Sequence, residues 1–182
     1  GQSIEKLSEL DNKIQKIKMN QILVQGDLNN ENFYKNLAQS ISSRFQKIDF
    51  LFILIGLFQR LSPLTHFSHQ EWSKLIEVNI NSYWRILKEL EPIIKRSQNP
   101  KIIFINNSKI SNGKAYHNIL SISQAVLKTV ANIYKSENKR LGIDTRIIEI
   151  PNLENGITAI TAGKKKLVTK NFTKKIIEKS FF

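Results

Sequence analysis

At 182 residues the chain is the size of one domain and long enough to bury a core. It carries 28 Lys and Arg against 15 Asp and Glu, a formal charge of +13 that directs attention to nucleic acid or anionic membranes as partners. With no Cys, and with His66, His69 and His117 outside any metal-ligand spacing, disulfides and thiolate zinc sites are excluded, no metal is expected and the default home is cytoplasmic; with no run of 18 apolar residues, no membrane-spanning helix is expected.

In chain order, Ile4 to Ile17 reads as a short basic amphipathic helix, followed by a strand at Gln21 to Gln25. Asn29 or Asn30 can cap the next helix, on which Phe33, Leu37, Ile41 and Phe45 form an apolar stripe. Phe50 to Leu57 is almost wholly apolar, the pattern of a strand covered on both faces by helices. Ser68-His69-Gln70-Glu71 has capping-box spacing and opens a long helix that carries Asn79. Lys101 to Ile105 is a second short apolar run, flanked by Pro100 and by Asn106-Asn107-Ser108, as suits a buried strand ending in a loop. From Leu120 the period changes. Ile122, Val126, Val130 and Ile133 recur at three- and four-residue steps, with Lys128, Lys135 and Glu137 on the other side, which predicts an amphipathic helix. Strand, polar loop and helix therefore follow one another, and in an open α/β sheet the loops beyond the carboxyl ends of the strands are where ligands sit. No internal repeat or linker divides the chain, so residues 1–182 are read as a single domain.

The charge is concentrated in Lys13 to Lys18 and in GKKKLVTKNFTKK near the end. Neither stretch has the spaced aromatic residues of a single-strand stacking platform, and no zinc-finger or RNP-like motif occurs. A solvated basic surface is the expectation, with RNA or DNA bound only non-specifically at low salt.

Several segments stand in a telling order: GQSIEKLSEL, then ILVQGDLNNENF with Asp27-Leu28, KIDFLFILIGLF with Leu54-Ile55-Gly56, and EVNINSYWRILKELEPIIKRS with Val78-Asn79 and Pro92. IIFINNSKISNGKAYHNILSISQA and RLGIDTRIIEIPN, with Pro151-Asn152, complete the series. Together they resemble the short-chain dehydrogenase/reductase family, and within it a divergent bacterial branch. The resemblance implies a three-layer, doubly wound Rossmann-like parallel sheet with helices on both faces. It implies NAD or NADP as cofactor, met by Asp27, Leu28, Gly56, Asn79 and Pro151. It also implies a homo-oligomer built through the helices near 68–97 and 119–140, where Trp72, Tyr83 and Trp84 are candidate aromatic anchors, though core packing is the commoner use of such residues.

The departures from the family pattern concern chemistry. The family writes Asn-Ala-Gly where Leu54-Ile55-Gly56 stands, and Pro-Gly where Pro151-Asn152 stands. Its Tyr-x-x-x-Lys pair, whose spacing sets both side chains on one helical face, falls on Leu120 and Gln124. In the family the Tyr moves a proton to or from the substrate oxygen, and the Lys lowers the Tyr pKa and holds the nicotinamide ribose. Leucine moves no proton and glutamine carries no charge. The family's serine falls on Asn107, with Ser108 beside it, and an amide can still hydrogen-bond a carbonyl. Asn79, which holds a water in the family's tetrad, is retained. Tyr116, four positions before Leu120, reads as a loop tyrosine with a solvated hydroxyl. Loss of a positioned acid removes roughly 10²–10⁴-fold in rate, so ordinary carbonyl reduction is expected to be impaired or absent.

The family's Gly-x-x-x-Gly-x-Gly turn has no counterpart before Gln25, and Gly1 matches the residue just after the family's second strand. The expectation is a partial domain lacking the first two strands and the glycine-rich turn, in which the family's fourth, fifth and sixth strands form the parallel core. The strand at Gln21 to Gln25 then either pairs anew or leaves the sheet. Three functions stay open: a divergent NAD(P)-dependent oxidoreductase homologue, a non-catalytic pseudoenzyme acting in dimerisation or interaction, and a weakly nucleic-acid-binding basic protein.

Overall fold

Three parallel strands in the order β1 (Phe50–Ile53), β2 (Lys101–Asn106) and β3 (Asp144–Glu149) make the sheet of the computed structural model, which describes residues 4–15, 22–57, 60–106 and 113–149. The register runs Ile53 beside Phe104 and Phe104 beside Ile147. The parallel core expected from the sequence is therefore in place.

Helices join the strands as crossovers. Between β1 and β2 lie α3 (His69–Ile76), a π-helical turn (Glu77–Asn81) and α4 (Ser82–Ile94); between β2 and β3 lies α5 (Asn118–Glu137). Before the sheet come α1 (Ile4–Gln15) and α2 (Glu31–Arg44). Local signals set their ends. The Asn30 side chain accepts from the Asn32 amide and starts α2, while Ser68 and Glu71 complete a reciprocal capping box that starts α3. Gly142, at φ 70°, takes the left-handed turn that leads into β3.

Side-chain alternation along the strands sorts the two faces of the sheet. Ile53, Ile102 and Phe104 point into one core with Ala38 of α2, with Tyr83, Leu87, Leu90, Ile93 and Ile94 of α4, and with Leu127, Ala131 and Tyr134 of α5. On the opposite face Ile103, Ile105 and Ile148 are buried as well. β2 is thus the covered central strand that its unbroken apolar run predicts.

Three expectations need correction. Residues Ile22–Gln25 form no strand, and Ile22 and Val24 stay 48% and 40% exposed. Strand structure comes from an inter-strand ladder rather than from local apolarity, and among the described residues the ladder ends at β1. The second of the two anticipated outcomes for this segment is the one found. The strand read as Phe50 to Leu57 is four residues long and lies at the sheet edge, with Phe52 and Leu54 45% and 63% exposed. An apolar run cannot report whether a neighbour will cover it. Finally, α5 buries Leu120, Gln124, Leu127, Ala131 and Tyr134, while Ile122, Val126 and Val130 are only half-buried and Ile133 is exposed. The helix has two apolar stripes, and a 3.6-residue period does not say which one meets the sheet.

Candidate functional site

The loop after β1 leaves the carboxyl end of that strand, and two of the residues singled out in the sequence, Gly56 and Asn79, meet there. Asn79 sits in the middle of the π-helical turn and is fully buried. Such turns insert one extra residue into a helix and recur at functional sites. Its carboxamide clamps the loop after β1: Oδ1 accepts from the Leu57 amide at 2.7 Å, and Nδ2 donates to the Leu57 carbonyl at 2.9 Å. The Tyr83 hydroxyl donates to the Ile55 carbonyl at 3.3 Å and fixes the same loop two residues earlier. Tyr83 is therefore a core residue, the commoner of the two uses weighed for it, and not an interface anchor. Burial pushes its phenol pKa well up, so it remains a neutral donor.

Gly56 lies on this clamped loop and is exposed. Among the described residues, a Cβ built there would meet only the Asn79 Oδ1, at 4.0 Å, which is ordinary van der Waals contact.

Asn106 closes β2. It is fully buried, and among the described residues neither polar atom of its carboxamide has a hydrogen-bond partner. Buried amides are nearly always paired, so this one marks a place where a polar group is wanted. The sequence reading placed Asn106 in a polar cluster without assigning it a part.

On α5, Leu120 and Gln124 are 3% and 7% exposed and lie one turn apart on the buried face. Ser123 beside them returns its hydroxyl to the Leu120 carbonyl at 2.9 Å. Tyr116 is 60% exposed, as a solvated loop tyrosine should be, and sits at φ 67°. Asn118 follows at φ 30°, and its Nδ2 reaches the carbonyls of Tyr116, Arg60 and Ser62 at 2.9, 3.2 and 3.3 Å. The Ser62 amide donates to the Tyr116 carbonyl at 3.2 Å. These contacts bind the entry of α5 to the loop after β1 across more than fifty residues of sequence, a role for Asn118 that no local pattern announces. Between them His117 has a buried, unpartnered Nδ1, and burial together with the Lys114 charge lowers its pKa.

Asp27 and Leu28 form the turn into α2. The Asp27 carboxylate accepts from the Asn29 amide and side chain at 3.0 and 2.9 Å, and its carbonyl accepts from the Asn30 amide at 3.0 Å. The Leu28 carbonyl accepts from the Tyr34 hydroxyl at 2.8 Å. Asn107, Ser108 and Pro151 lie outside the described residues. Among the described residues no group of three or more His, Cys, Asp or Glu could hold a metal, and no helix is long and apolar enough to cross a membrane.

A family model described as enoyl-(acyl carrier protein) reductase matches residues 2–144. Short chain dehydrogenase adrF of Penicillium roqueforti is 26% identical over 137 residues, which cover 69% of this chain and 54% of that protein. The chain thus spans about half the length of this curated relative. Among solved structures, a short chain dehydrogenase from Salmonella enterica serovar Typhi superposes with a TM-score of 0.80 at 17% identity, covering 91% of this chain and 70% of that one. A short chain dehydrogenase from Escherichia coli CFT073, complexed with NADPH, superposes with a TM-score of 0.74 at 20% identity, covering 82% and 63%.

Proposed function

Since the chain belongs to the short-chain dehydrogenase/reductase family, we propose that it is an NAD(P)-binding oxidoreductase homologue in which ordinary carbonyl chemistry is impaired at the proton-transfer pair. The observation that carries this reading is the identity of two buried side chains on α5. Leu120 and Gln124 stand on one helix face at the family's Tyr and Lys positions, and neither can donate a proton or hold a charge.

The surroundings suit a nicotinamide nucleotide. Gly56 gives a ligand close approach to the backbone, and the Asn106 carboxamide is an unmatched donor and acceptor beneath the same end of the sheet. Asp27, Leu28, Asn79 and Pro151 complete the family's set of contacts. When bound, the nucleotide would supply a hydride; this chain's own residues would orient it and exclude water. With its side chain committed to Leu57, Asn79 acts on a ligand through the loop it fixes.

Titration of NADH and NADPH, followed by fluorescence, tests the reading directly. Saturable micromolar binding without turnover of simple ketones is the expected result. No binding by the folded native gene product, with whatever precedes Gly1 included, would reject the nucleotide and favour a pseudoenzyme. Gly56→Ala separates a ligand effect from a folding effect. Gly56 does not occupy the left-handed region, and its Cβ would have ordinary room. The melting midpoint is therefore expected to stay within about 0.5 kcal/mol equivalent, as for substitutions away from strained or packed sites, while nucleotide affinity falls.

A second reading, a dimerisation protein, has its own observation. Trp84 and Ile133, 55% and 50% exposed, line a groove of about 490 Å³ between α4 and α5, together with Lys88, Val130 and Glu137. Lys88 lies over the Trp84 ring at 4.7 Å. Val130 and Ile133 are the carboxyl-terminal half of the less buried stripe of α5. Sedimentation is expected to report a dimer that Trp84→Ala weakens roughly 30-fold or more, the size of an aromatic hot spot of about 2 kcal/mol. A concentration-independent monomer would dismiss this interface.

A further inference from the structure

Tyr34 on α2 and Ser82, the first residue of α4, are 48 positions apart in sequence, yet their hydroxyl oxygens are 2.8 Å apart. Both residues are almost fully buried, at 1% and 0% exposure. The Tyr34 hydroxyl is also 2.8 Å from the Leu28 carbonyl, and the Ser82 hydroxyl is 3.2 Å from the Glu77 carbonyl, where the π-helical turn begins. Each hydroxyl carries one proton. Two protons therefore serve three contacts.

Two head-to-tail arrangements satisfy two contacts each. In one, Ser82 donates to Tyr34 and Tyr34 donates to the Leu28 carbonyl. In the other, Tyr34 donates to Ser82 and Ser82 donates to the Glu77 carbonyl. Each arrangement holds one turn and leaves the carbonyl of the other short of a donor.

We propose that the Tyr34–Ser82 pair is a two-state hydrogen-bond link that positions the Asp27–Leu28 turn and the Asn79 turn against one another. Its bearing on ligand binding rests on the reading that these turns face a nicotinamide nucleotide. A ligand donor that occupies the Leu28 carbonyl shifts the Tyr34 proton toward Ser82, and the Ser82 proton toward Glu77. That firms the turn carrying Asn79, and with it the grip on Leu57. The Glu77 carboxylate adds a parallel tie: it accepts from the Asn81 side chain at 2.7 Å and pairs with Arg85, whose guanidinium lies over the Tyr34 ring at 5.9 Å. Tyr34 and Ser82 are positioning residues in this scheme, acting through Leu28 and Asn79.

The test needs no nucleotide. Amide hydrogen exchange is followed by NMR at Asn30, whose N–H closes the Asp27 turn, and at Leu57, whose N–H is held by Asn79. Removing one hydroxyl commits the other to its own carbonyl. Ser82→Ala is therefore expected to speed exchange at Leu57 and slow it at Asn30, and Tyr34→Phe to do the reverse, each by roughly 2- to 10-fold, the worth of one net hydrogen bond. Ser123→Ala, which deletes a buried hydroxyl elsewhere, should move neither amide. Loosening of both turns in either variant would mean a static brace, and no change at the remote turn would mean independence. A uniform rise that includes the β2 amides would mean global destabilisation. Each of these three overturns the link. The crossed pattern in a chain that fails to bind NADPH would keep the link and discard the nucleotide reading.

Discussion

Phe104→Ala is expected to destabilise the fold by about 3–5 kcal/mol, a fifth or more of a typical domain stability of roughly 5–15 kcal/mol. The side chain is fully buried at the middle of the central strand, between Ile53 of β1 and Ile147 of β3. It belongs to the one cluster that α2, α4 and α5 share, so the cavity left by truncation has no flexible wall to close it. Phe52→Ala is the matched control. It removes the same atoms from the edge strand, where 45% exposure leaves little transfer free energy to lose, and about 1 kcal/mol or less is expected. Urea unfolding of the two variants measures the difference. Equal losses would show that β1 is as enclosed as β2, contrary to its exposure.

Phe104 and Phe52 also mark the limit of what local sequence could say. Both sit in apolar runs that read as covered strands, and only one is covered, because coverage depends on which elements pack alongside. Periodicity and capping rules were sufficient for the helices and for the Ser68–Glu71 box, and the family resemblance supplied the parallel pairing of β1 with β2. The family pattern put Gly56 and Asn79 in one implied cofactor-binding set, and the two are in contact. Neither could choose between the two apolar stripes of α5, since a helix carries no mark of where the sheet will be. The side chains that join loops were illegible for another reason. Asn118 reaches Arg60 across 58 residues and Tyr34 reaches Ser82 across 48, and contacts of that separation leave no periodic trace. Asn106 gave a polar signal at a strand end, but a single sequence cannot distinguish a solvated amide from a buried one without a partner.

The larger functional effect is expected from restoring the proton-transfer pair. Leu120→Tyr with Gln124→Lys should raise NADPH-dependent reduction of a simple ketone by roughly 10²–10⁴-fold over the parent chain, the contribution of a positioned general acid. Leu120→Tyr alone should recover much less, because a phenol with the ordinary pKa of about 10 needs a neighbouring cation to work near neutrality. The two positions suit the test, being four apart on one face of α5. They also set its cost. Both are buried, so the larger tyrosine strains the core by about 1–3 kcal/mol, and the lysine is stable only if its ammonium finds a polar partner. Initial rates and melting midpoints, measured with nucleotide affinity on the same samples, separate these contributions. A folded double variant that binds NADPH and gains no rate would show that the impairment lies elsewhere in the site, and Leu120 and Gln124 would lose the role assigned to them.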